Sequence, residues 1–346
     1  MNILVLKPCC IGDVLMTTPL VSTLRAAYPK ARIDYAVGEW SRPAIEGNPD
    51  IDAVVPFADG GERWWRKLAG LVLTAWRLRW RRYDMAFIAD ASWFANLVVY
   101  LAGVPRRFGH APFPRSLLLT QGVRDQETQD HQVDAYLALA EAAGLRRHVK
   151  RRLKYIPSQP SLEHAVHLIH AQGFDEMPFR VALYPGGGDS PRGELFHKRW
   201  PPERYALLAD RLITKYGGGV VLLGDESERE LNFVVRNDID HPVLDLTGRL
   251  DLDEMGAVIQ LCDAIIANDS GPMQLGVAVG TPTVALFGPT AARRFGPYGE
   301  RHRAVQAYTW CGPCYRLGGP MQGCGAACIQ RITVSDVVQA LETRAG

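Results

Sequence analysis

The chain has 346 residues, which is long for one hydrophobic core and predicts two domains of ordinary size. Hydrophobic residues make up 47% of it and charged residues 22%, so the composition is that of a soluble globular protein. A formal net charge of only +2 argues against a general nucleic-acid coat, and no apolar run is long enough to span a bilayer. The N-terminus predicts a strand rather than a signal peptide. Disulfides among the seven cysteines are therefore not expected, since the cytoplasm is reducing.

The N-terminal half begins as a doubly wound α/β domain. Residues 2–6 predict a strand, and apolar residues at helical spacing predict a helix that starts near Asp13 and runs to residue 27. Further strands are predicted at residues 31–37 and 52–57. Ligands bind at the carboxyl ends of the strands in such sheets, and Asp13 follows the first strand. Asp13 is therefore a candidate functional carboxylate, and a simple helix cap is the alternative.

Residues 62–82 form a basic, tryptophan-rich segment that predicts one helix or two. Tryptophan interleaved with arginine is typical of a membrane interface or of a protein that binds an anionic amphiphile. The alternative is a solvated basic face above a core contact. A strand at residues 83–89 follows and ends at Asp90, and basic loops are predicted at residues 105–109 and around Arg115.

The second half repeats the alternation of strands and helices, which predicts a second doubly wound domain. Its predicted elements are a strand at 179–184, a helix at 202–216, a strand at 219–223, a strand and turn at 244–248, and a helix at 252–262. The glycines at 186–188 follow the first of these strands. A glycine run in that position is a weak signal for a phosphate cradle.

Residues 264–287 predict a strand, a capped helix and a further strand. Asn268, Asp269 and Ser270 are residue types that cap helix N-termini, and a glycine fits the end of the helix. The free backbone N–H groups and the helix dipole at Ser270 and Gly271 predict an anion site. An ordinary βαβ unit with a well-capped helix is the alternative.

Five motifs occur in order along the chain: Ile11-Gly-Asp-Val-Leu, Lys198-Arg-Trp-Pro, Asp245-Leu-Thr-Gly, Asn268-Asp-Ser-Gly-Pro-Met and Phe287-Gly-Pro-Thr. Together they resemble the ADP-heptose:lipopolysaccharide heptosyltransferases of glycosyltransferase family 9, and the resemblance covers nearly the whole chain. It implies a GT-B fold, which consists of two Rossmann-like doubly wound domains facing across a cleft. It also implies an inverting, metal-independent transfer of L-glycero-D-manno-heptose from ADP-heptose to the inner core of lipopolysaccharide.

The resemblance implies that residues 1–165 bind the acceptor and that residues 166–346 bind the nucleotide-sugar donor and carry a cysteine-containing C-terminal segment. The chain departs from the family at two places. Gln274 stands where the family usually has histidine, which touches the donor-phosphate contacts. Cys9 and Cys10 stand where the family usually has serine or threonine, in the loop that carries the presumed base.

Transfer from a nucleotide-sugar needs a base for the acceptor hydroxyl and a way to stabilise the departing diphosphate. Asp13 is the candidate base, and Lys198 is the candidate cation beside the diphosphate. Fixed charges of this kind would act in place of a metal ion, so no cofactor is expected. The resemblance matches Glu228 to the position that binds the adenosine ribose, and a surface glutamate without a role is the alternative.

The predicted site residues fall into three groups. The predicted catalytic residues are Asp13 and Lys198. The predicted donor-binding residues are Gly187, Gly188, Lys198, Glu228, Asp269, Ser270, Gly271 and Gln274. The predicted acceptor-binding residues are Lys7, Arg63, Arg66, Lys67, Arg107 and Arg115.

The C-terminal segment contains two close cysteine pairs, Cys311 with Cys314 and Cys324 with Cys328. Such spacing suits a tetrahedral zinc ion or an iron–sulfur cluster, although the loop between the pairs is short for a zinc ribbon. We predict no metal here and favour a structural thiol cluster. Disulfides formed on handling are the other alternative.

The partners that the resemblance implies are the donor ADP-heptose and a lipopolysaccharide inner-core acceptor of the Kdo-lipid A type. The enzyme is expected to be a cytoplasmic monomer that contacts the inner membrane peripherally and binds no nucleic acid. One alternative is a family 9 glycosyltransferase with another acceptor, such as a protein or a different glycan, or another nucleotide-sugar. The other is a GT-B sugar-nucleotide epimerase or a non-enzymatic binder. Such a binder is expected to lack Asp13 or Lys198, and both are present.

Overall fold

The computed structural model describes residues 1–58, 64–110, 115–123, 131–146, 152–187, 196–314 and 327–343. Of the predicted site residues, Arg63, Gly188 and Cys324 lie outside this part of the chain, as do the side chains of Arg66, Lys67 and Arg115. The chain divides into two compact units, Met1–Lys154 and Tyr155–Gly346.

The first unit contains a parallel sheet. Its strands are β1 (Asn2–Leu6), β2 (Arg32–Val37), β3 (Ala53–Pro56), β4 (Met85–Ile88), β5 (Arg106–His110) and β6 (Gln121–Val123). Its helices are α1 (Ile11–Met16), α2 (Thr18–Ala27), α3 (Trp64–Trp80), α4 (Trp93–Leu101) and α5 (Gln132–Ala142). Among the described residues the strand order is β3-β2-β1-β4-β5-β6. Because the order reverses between β1 and β4, the carboxyl ends of these two strands mark the expected ligand position.

The second unit contains another parallel sheet. Its strands are β7 (Arg180–Tyr184), β8 (Gly219–Leu222), β9 (Val243–Asp245), β10 (Ala264–Asn268), β11 (Thr283–Phe287) and β12 (Arg303–Gln306). Its helices are α6 (Gln159–His170), α7 (Pro202–Tyr216), α8 (Arg229–Asn237), α9 (Leu252–Gln260), α10 (Gly271–Val279), α11 (Ala292–Phe295) and α12 (Val334–Glu342). The strand order in the described part of this unit is β12-β11-β10-β7-β8-β9. Here the order reverses between β7 and β10.

The central strands are buried on both faces, as expected for parallel sheets that helices cover on both sides. Residues 3–6 of β1 and residues 264–267 of β10 are 0% exposed. These apolar runs are what made both strands recognisable in the sequence. The predicted α/β class with two doubly wound sheets is confirmed.

Two sequence predictions of elements differ from the structure. The single helix predicted from Asp13 to residue 27 is divided at Thr17, because Pro19 has no N–H to donate and would clash with a continuing helix. The Thr17 hydroxyl donates to the carbonyl of Val14 at 2.7 Å. The basic loop predicted at residues 105–109 is wrong. Most of it is strand β5, whose residues pair with β4 on one side and β6 on the other.

The division between the two units falls after Lys154. Helix α6, within which the expected boundary at residue 165 falls, belongs to the second unit. Among the residues described, no helix combines the length and the apolar composition that crossing a bilayer requires. The binding roles of the two units stay predictions.

Candidate functional site

In the first unit, a lysine lies between two carboxylates at the carboxyl ends of β1 and β4. The ammonium nitrogen of Lys7 is 3.2 Å from Oδ2 of Asp13 and 3.2 Å from Oδ2 of Asp90. The side chains of Lys7 and Asp90 are 7% and 9% exposed, whereas that of Asp13 is 29% exposed. Asp13 is therefore the carboxylate of this trio that solvent or a ligand reaches most easily.

The protonation of Lys7 and Asp90 follows from their surroundings. Burial opposes the charge on Lys7, but the attraction of Asp13, Tyr136 and Asp90 outweighs burial and raises the lysine pKa above its ordinary value. Burial likewise opposes the charge on Asp90, but Lys7 and the hydrogen bonds from Ser92 lower the Asp90 pKa. Lys7 and Asp90 are therefore both ionised at neutral pH. Lys7, a predicted acceptor contact, has its ammonium group engaged with carboxylates of its own unit.

Replacing Lys7 with methionine is expected to lower the free energy of unfolding by about 3–5 kcal/mol, because it leaves the buried Asp90 carboxylate without its cation. Denaturant unfolding measures this loss, and Lys154→Met, which breaks the less buried pair with Asp50, is the matched control. The double variant Lys7→Met with Asp90→Asn should recover much of the loss. A single variant within about 1 kcal/mol of the wild type would contradict the buried-pair account.

The loop between Lys7 and α1 contains a disulfide between Cys9 and Cys10, which are adjacent in the chain. The prediction that disulfides are absent is therefore wrong for this structure. That prediction rested on the redox state of the compartment alone, which does not report the local geometry of the Cys9–Cys10 pair. The carbonyl of Cys10 accepts the first bond of α1, from the Val14 N–H at 2.8 Å.

In the second unit, the N-terminus of α10 lies directly at the carboxyl end of β10, as predicted. Ser270 is the N-cap residue, and its hydroxyl oxygen accepts from the N–H of Met273 at 3.5 Å. Gly271 is the first residue of the helix, and Gly280 ends it with a φ of 87°. The first-turn N–H groups and the helix dipole make this end of α10 attractive to an anion.

A glycine loop lies against the start of α10. Gly187 has a φ of +99°, and a Cβ on it would lie 2.7 Å from the Ser270 Cβ. A Cβ on Gly186 would lie 1.8 Å from Oε1 of Glu228. Side chains at either glycine would therefore push the loop away from the helix N-terminus and from Glu228.

Asn268 connects this loop to its own motif and to the Lys198-Arg-Trp-Pro motif, a role that the sequence does not predict. Its Nδ2 group donates to the carbonyls of Pro185 at 2.7 Å and Gly186 at 2.9 Å. Its Oδ1 accepts from the backbone N–H of Trp200 at 3.1 Å. The available signal is a polar amide at the end of an otherwise apolar buried strand, a pattern that also fits a simple helix cap.

Lys198 lies beside the same helix end. Its Nζ is 2.8 Å from Oδ2 of Asp269, and the two side chains are only 16% and 11% exposed. The hydroxyl of Thr290 donates to the same carboxylate oxygen at 2.7 Å. Residues from three of the five sequence motifs therefore meet at Asp269. A cation held in this way next to a helix N-terminus adds to the attraction for an anion.

Glu228, the predicted ribose contact, is 1% exposed. Its Oε1 accepts from the Gly187 N–H at 2.5 Å, and its Oε2 accepts from the Asp225 N–H at 3.0 Å. Burial raises the pKa of the Glu228 carboxyl above its ordinary value and outweighs the hydrogen bonds that it accepts. Within the described chain this carboxylate fixes the glycine loop. The Tyr184 hydroxyl also donates to this carboxylate. A carboxylate has about four lone-pair positions, so one remains for another donor.

Gln274 is 3% exposed and lies one turn into α10. Its Nε2 donates to the carbonyl of Phe295 at 2.8 Å. Within the described residues its buried Oε1 has no hydrogen-bond partner. The side chain therefore binds the start of α10 to α11 and leaves one buried acceptor unused.

The remaining predicted residues make no described contact with the Lys7 trio or with the start of α10. Arg107 donates from Nε to the Leu118 carbonyl at 2.7 Å and from Nη1 to the Val104 carbonyl at 2.5 Å, so it fixes backbone beside β5. Cys328 is buried, and Cys311 and Cys314 are half-buried. Across the ranges that the structure describes, which omit Cys324, no group of three or more metal-ligating side chains is assembled.

Comparison with known proteins identifies the family. The model of glycosyltransferase family 9 (heptosyltransferase) matches residues 74–324. The chain is 32% identical over 323 residues to lipopolysaccharide heptosyltransferase 2 of Escherichia coli K12, which covers 89% of each chain. The solved structure of E. coli ADP-heptose lipopolysaccharide heptosyltransferase II matches with a TM-score of 0.76 at 27% identity. The match covers 99% of this chain and 98% of the E. coli chain. A family 9 glycosyltransferase from Veillonella parvula has a TM-score of 0.84 at 24% identity, covers 99% and 96% of the two chains, and supports the fold alone. The protein therefore belongs to glycosyltransferase family 9, the heptosyltransferases, and is a glycosyltransferase, as its five motifs predicted.

Proposed function

We propose that this enzyme transfers L-glycero-D-manno-heptose from ADP-heptose to the inner core of lipopolysaccharide, with inversion and without a metal ion. The observation that carries the proposal is the meeting of three family motifs at Asp269, with Lys198 only 2.8 Å from its carboxylate. The name of the E. coli relative, an ADP-heptose lipopolysaccharide heptosyltransferase, supports this donor and this acceptor.

The donor diphosphate is proposed to bind at the start of α10. The backbone N–H groups of Ser270 and Gly271 would donate to its oxygens, and Lys198 would balance its charge. The contact between the Gly187 loop and Ser270 supports this assignment, because glycine there keeps side chains away from the helix end. Glu228 is proposed to accept one hydroxyl of the adenosine ribose with its remaining lone-pair position.

The reaction is proposed to be a single displacement with Asp13 as the general base. The acceptor hydroxyl oxygen forms a bond to C1 of the heptose while the bond from C1 to the diphosphate oxygen breaks. Asp13 takes the hydroxyl proton, and ADP leaves with the bonding electron pair. The 29% exposure of Asp13, against 9% for Asp90, supports its choice as the base. Lys7 is proposed to position Asp13, because its buried ammonium group lies 3.2 Å from the Asp13 carboxylate.

The acceptor is proposed to be an inner-core glycolipid of the Kdo-lipid A type, presented at the cytoplasmic side of the inner membrane. The enzyme would work there as a cytoplasmic monomer in peripheral contact with the membrane. The basic segment at residues 62–82 supports the membrane contact, since the membrane surface is anionic.

Donor selectivity tests the proposal. Purified protein is incubated with a Kdo-lipid A acceptor and either ADP-heptose or UDP-glucose, and release of the nucleoside diphosphate is followed. We expect acceptor-dependent release of ADP at a rate at least about 100-fold above release of UDP. A site built to hydrogen-bond one sugar nucleotide leaves some of its polar groups without partners when a different sugar nucleotide binds. Faster release from UDP-glucose would favour a family 9 enzyme with another donor.

Treatment with EDTA is expected to leave the transfer rate unchanged. The reason is that Lys198 and the start of α10 are proposed to carry the charge that Mg²⁺ carries in metal-dependent transferases. The assay compares initial rates of ADP release before and after removal of divalent ions, with a metal-dependent glycosyltransferase as the positive control. Complete inhibition that Mg²⁺ reverses would overturn the metal-independent mechanism.

A further inference from the structure

Helix α3 carries apolar side chains on two neighbouring sides. On the inner side Leu71, Ala75 and Leu78 are 6%, 7% and 0% exposed and belong to the core of the first unit. On the outer side Leu68, Val72, Trp76 and Trp80 are spaced by four residues, so they form one stripe along the helix. These four side chains are 54%, 58%, 57% and 68% exposed. The outer stripe is therefore apolar surface that the core of the first unit does not cover.

Further exposed apolar side chains lie on α4, which packs beside α3. Trp93, Tyr100 and Leu101 of α4 are 53%, 48% and 44% exposed, and Leu73 of α3 is 42% exposed. In the described part of the chain, eight of 19 strongly exposed large apolar side chains lie on these two helices. This concentration distinguishes a patch from the scattered apolar residues that any surface carries. We name the eight side chains and the arginines beside them the α3–α4 face.

The charged side chains on these two helices have one sign. Arg77 and Arg79 are exposed on α3, next to the tryptophans of the stripe. Arg79 reaches toward the end of α4, since a Cβ on Gly103 would lie 3.1 Å from its Nη1. Neither α3 nor α4 contains an aspartate or a glutamate. Trp76 and Trp80 contact each other edge to face, with ring centroids 6.0 Å apart.

We propose that the α3–α4 face docks on an anionic phospholipid bilayer. Trp76 and Trp80 would lie at the level of the headgroups, and Arg77 and Arg79 would pair with lipid phosphates. The docking face rests on the peripheral membrane contact proposed above. It adds which surface of the protein makes that contact and which kind of lipid binds it. A second copy of the chain fits less well, because a symmetric contact would set these arginines against one another without a carboxylate on either helix.

Sedimentation with lipid vesicles tests the proposal. Full-length protein is mixed with vesicles of phosphatidylglycerol and phosphatidylcholine in equal parts, or of phosphatidylcholine alone. We expect binding to the anionic vesicles only, weakening as salt rises, because basic residues near an anionic surface are screened. Neutralising two arginines in Arg77→Gln with Arg79→Gln should lower the partition coefficient about 30-fold. Removing the aromatic stripe in Trp76→Ser with Trp80→Ser should lower it about tenfold or more.

Exposed apolar residues of the second unit provide the matched control. Leu207 and Phe233 are 61% and 64% exposed, so Leu207→Ser with Phe233→Ser removes comparable surface elsewhere and should leave vesicle binding unchanged. Equal binding by the wild type and both α3–α4 variants would overturn the proposal. So would wild-type dimerisation that the variants lose, since a second copy would then be the occupant.

Transfer to a soluble acceptor separates this inference from the proposed function. A deacylated Kdo-containing acceptor carries no lipid anchor, so both α3–α4 variants should use it at the wild-type rate while failing to bind vesicles. Variants that keep vesicle binding contradict the docking face, whatever the transfer rate. Wild-type protein that binds anionic vesicles through this face but transfers heptose to no acceptor would support the face and contradict the proposed function.

Discussion

Asp13→Asn is expected to lower the rate of heptose transfer about 100- to 10,000-fold, the usual contribution of a general base. Asparagine keeps the size of the side chain but cannot take the proton of the acceptor hydroxyl. The proposed donor-binding residues belong to the other unit, so binding of ADP-heptose should stay within a few-fold of the wild type. The measurements are kcat with ADP-heptose and a Kdo-lipid A acceptor, and the Kd for ADP-heptose by calorimetry.

The control for this experiment is Glu39→Gln, which also removes a carboxylate charge from the first unit. The Glu39 side chain is 77% exposed and pairs only with nearby Arg42 in the described chain, so its variant should keep the wild-type kcat. An Asp13→Asn enzyme that retains a tenth or more of the wild-type kcat would remove Asp13 from the role of base. The proposed positioning role of Lys7 would then fall with it.

Lys198→Met is expected to lower kcat/KM about 100- to 1,000-fold, comparable with the loss of one preorganised group that stabilises transition-state charge. The variant removes a cation from the start of α10 and leaves the Asp269 carboxylate, which Thr290 still contacts at 2.7 Å. A negative charge would then face the departing diphosphate without its partner. The KM for ADP-heptose should rise as well as kcat fall, because the diphosphate is present in both the ground state and the transition state.

Lys215→Met is the matched control, because Lys215 pairs with Glu342 on the surface of the same unit. It should keep the wild-type kcat/KM. The fold of Lys198→Met is checked by thermal unfolding. The double variant Lys198→Met with Asp269→Asn separates a structural role from a functional one. If the double variant regains stability and also regains most of the activity, Lys198 serves only to neutralise Asp269 and does not act on the diphosphate.

Much of the fold could be predicted from local sequence because the central strands are short apolar runs followed by capping residues. Strand β10 and helix α10 were recognised in this way, from Ala264 through Ser270 to Gly280. Strand β5 is not predictable in this way, because Arg106 and Arg107 lack a strand's apolar pattern. Its conformation depends on pairing with β4 and β6, which no local pattern records.

The site was predictable only to the level of its motifs. The sequence indicated that Ser270 and Gly271 begin a helix and that Lys198 belongs near an anion. It did not indicate that the Lys7 ammonium lies between Asp13 and Asp90, because Asp90 is distant in the chain and reaches Lys7 only through pairing of β1 with β4. The ties that Asn268 makes were missed for the same reason.

Mass spectrometry of the acceptor tests the central claim most directly. Wild-type protein, Asp13→Asn and Lys198→Met are each incubated with ADP-heptose and Kdo-lipid A, with and without a first heptose already attached. We predict that the wild type adds one heptose to one of these acceptors, that both variants add far less, and that the anomeric configuration of the product is opposite to that of the donor. Bound ADP-heptose without any gain of mass on either acceptor, or a product with retained configuration, would contradict the account.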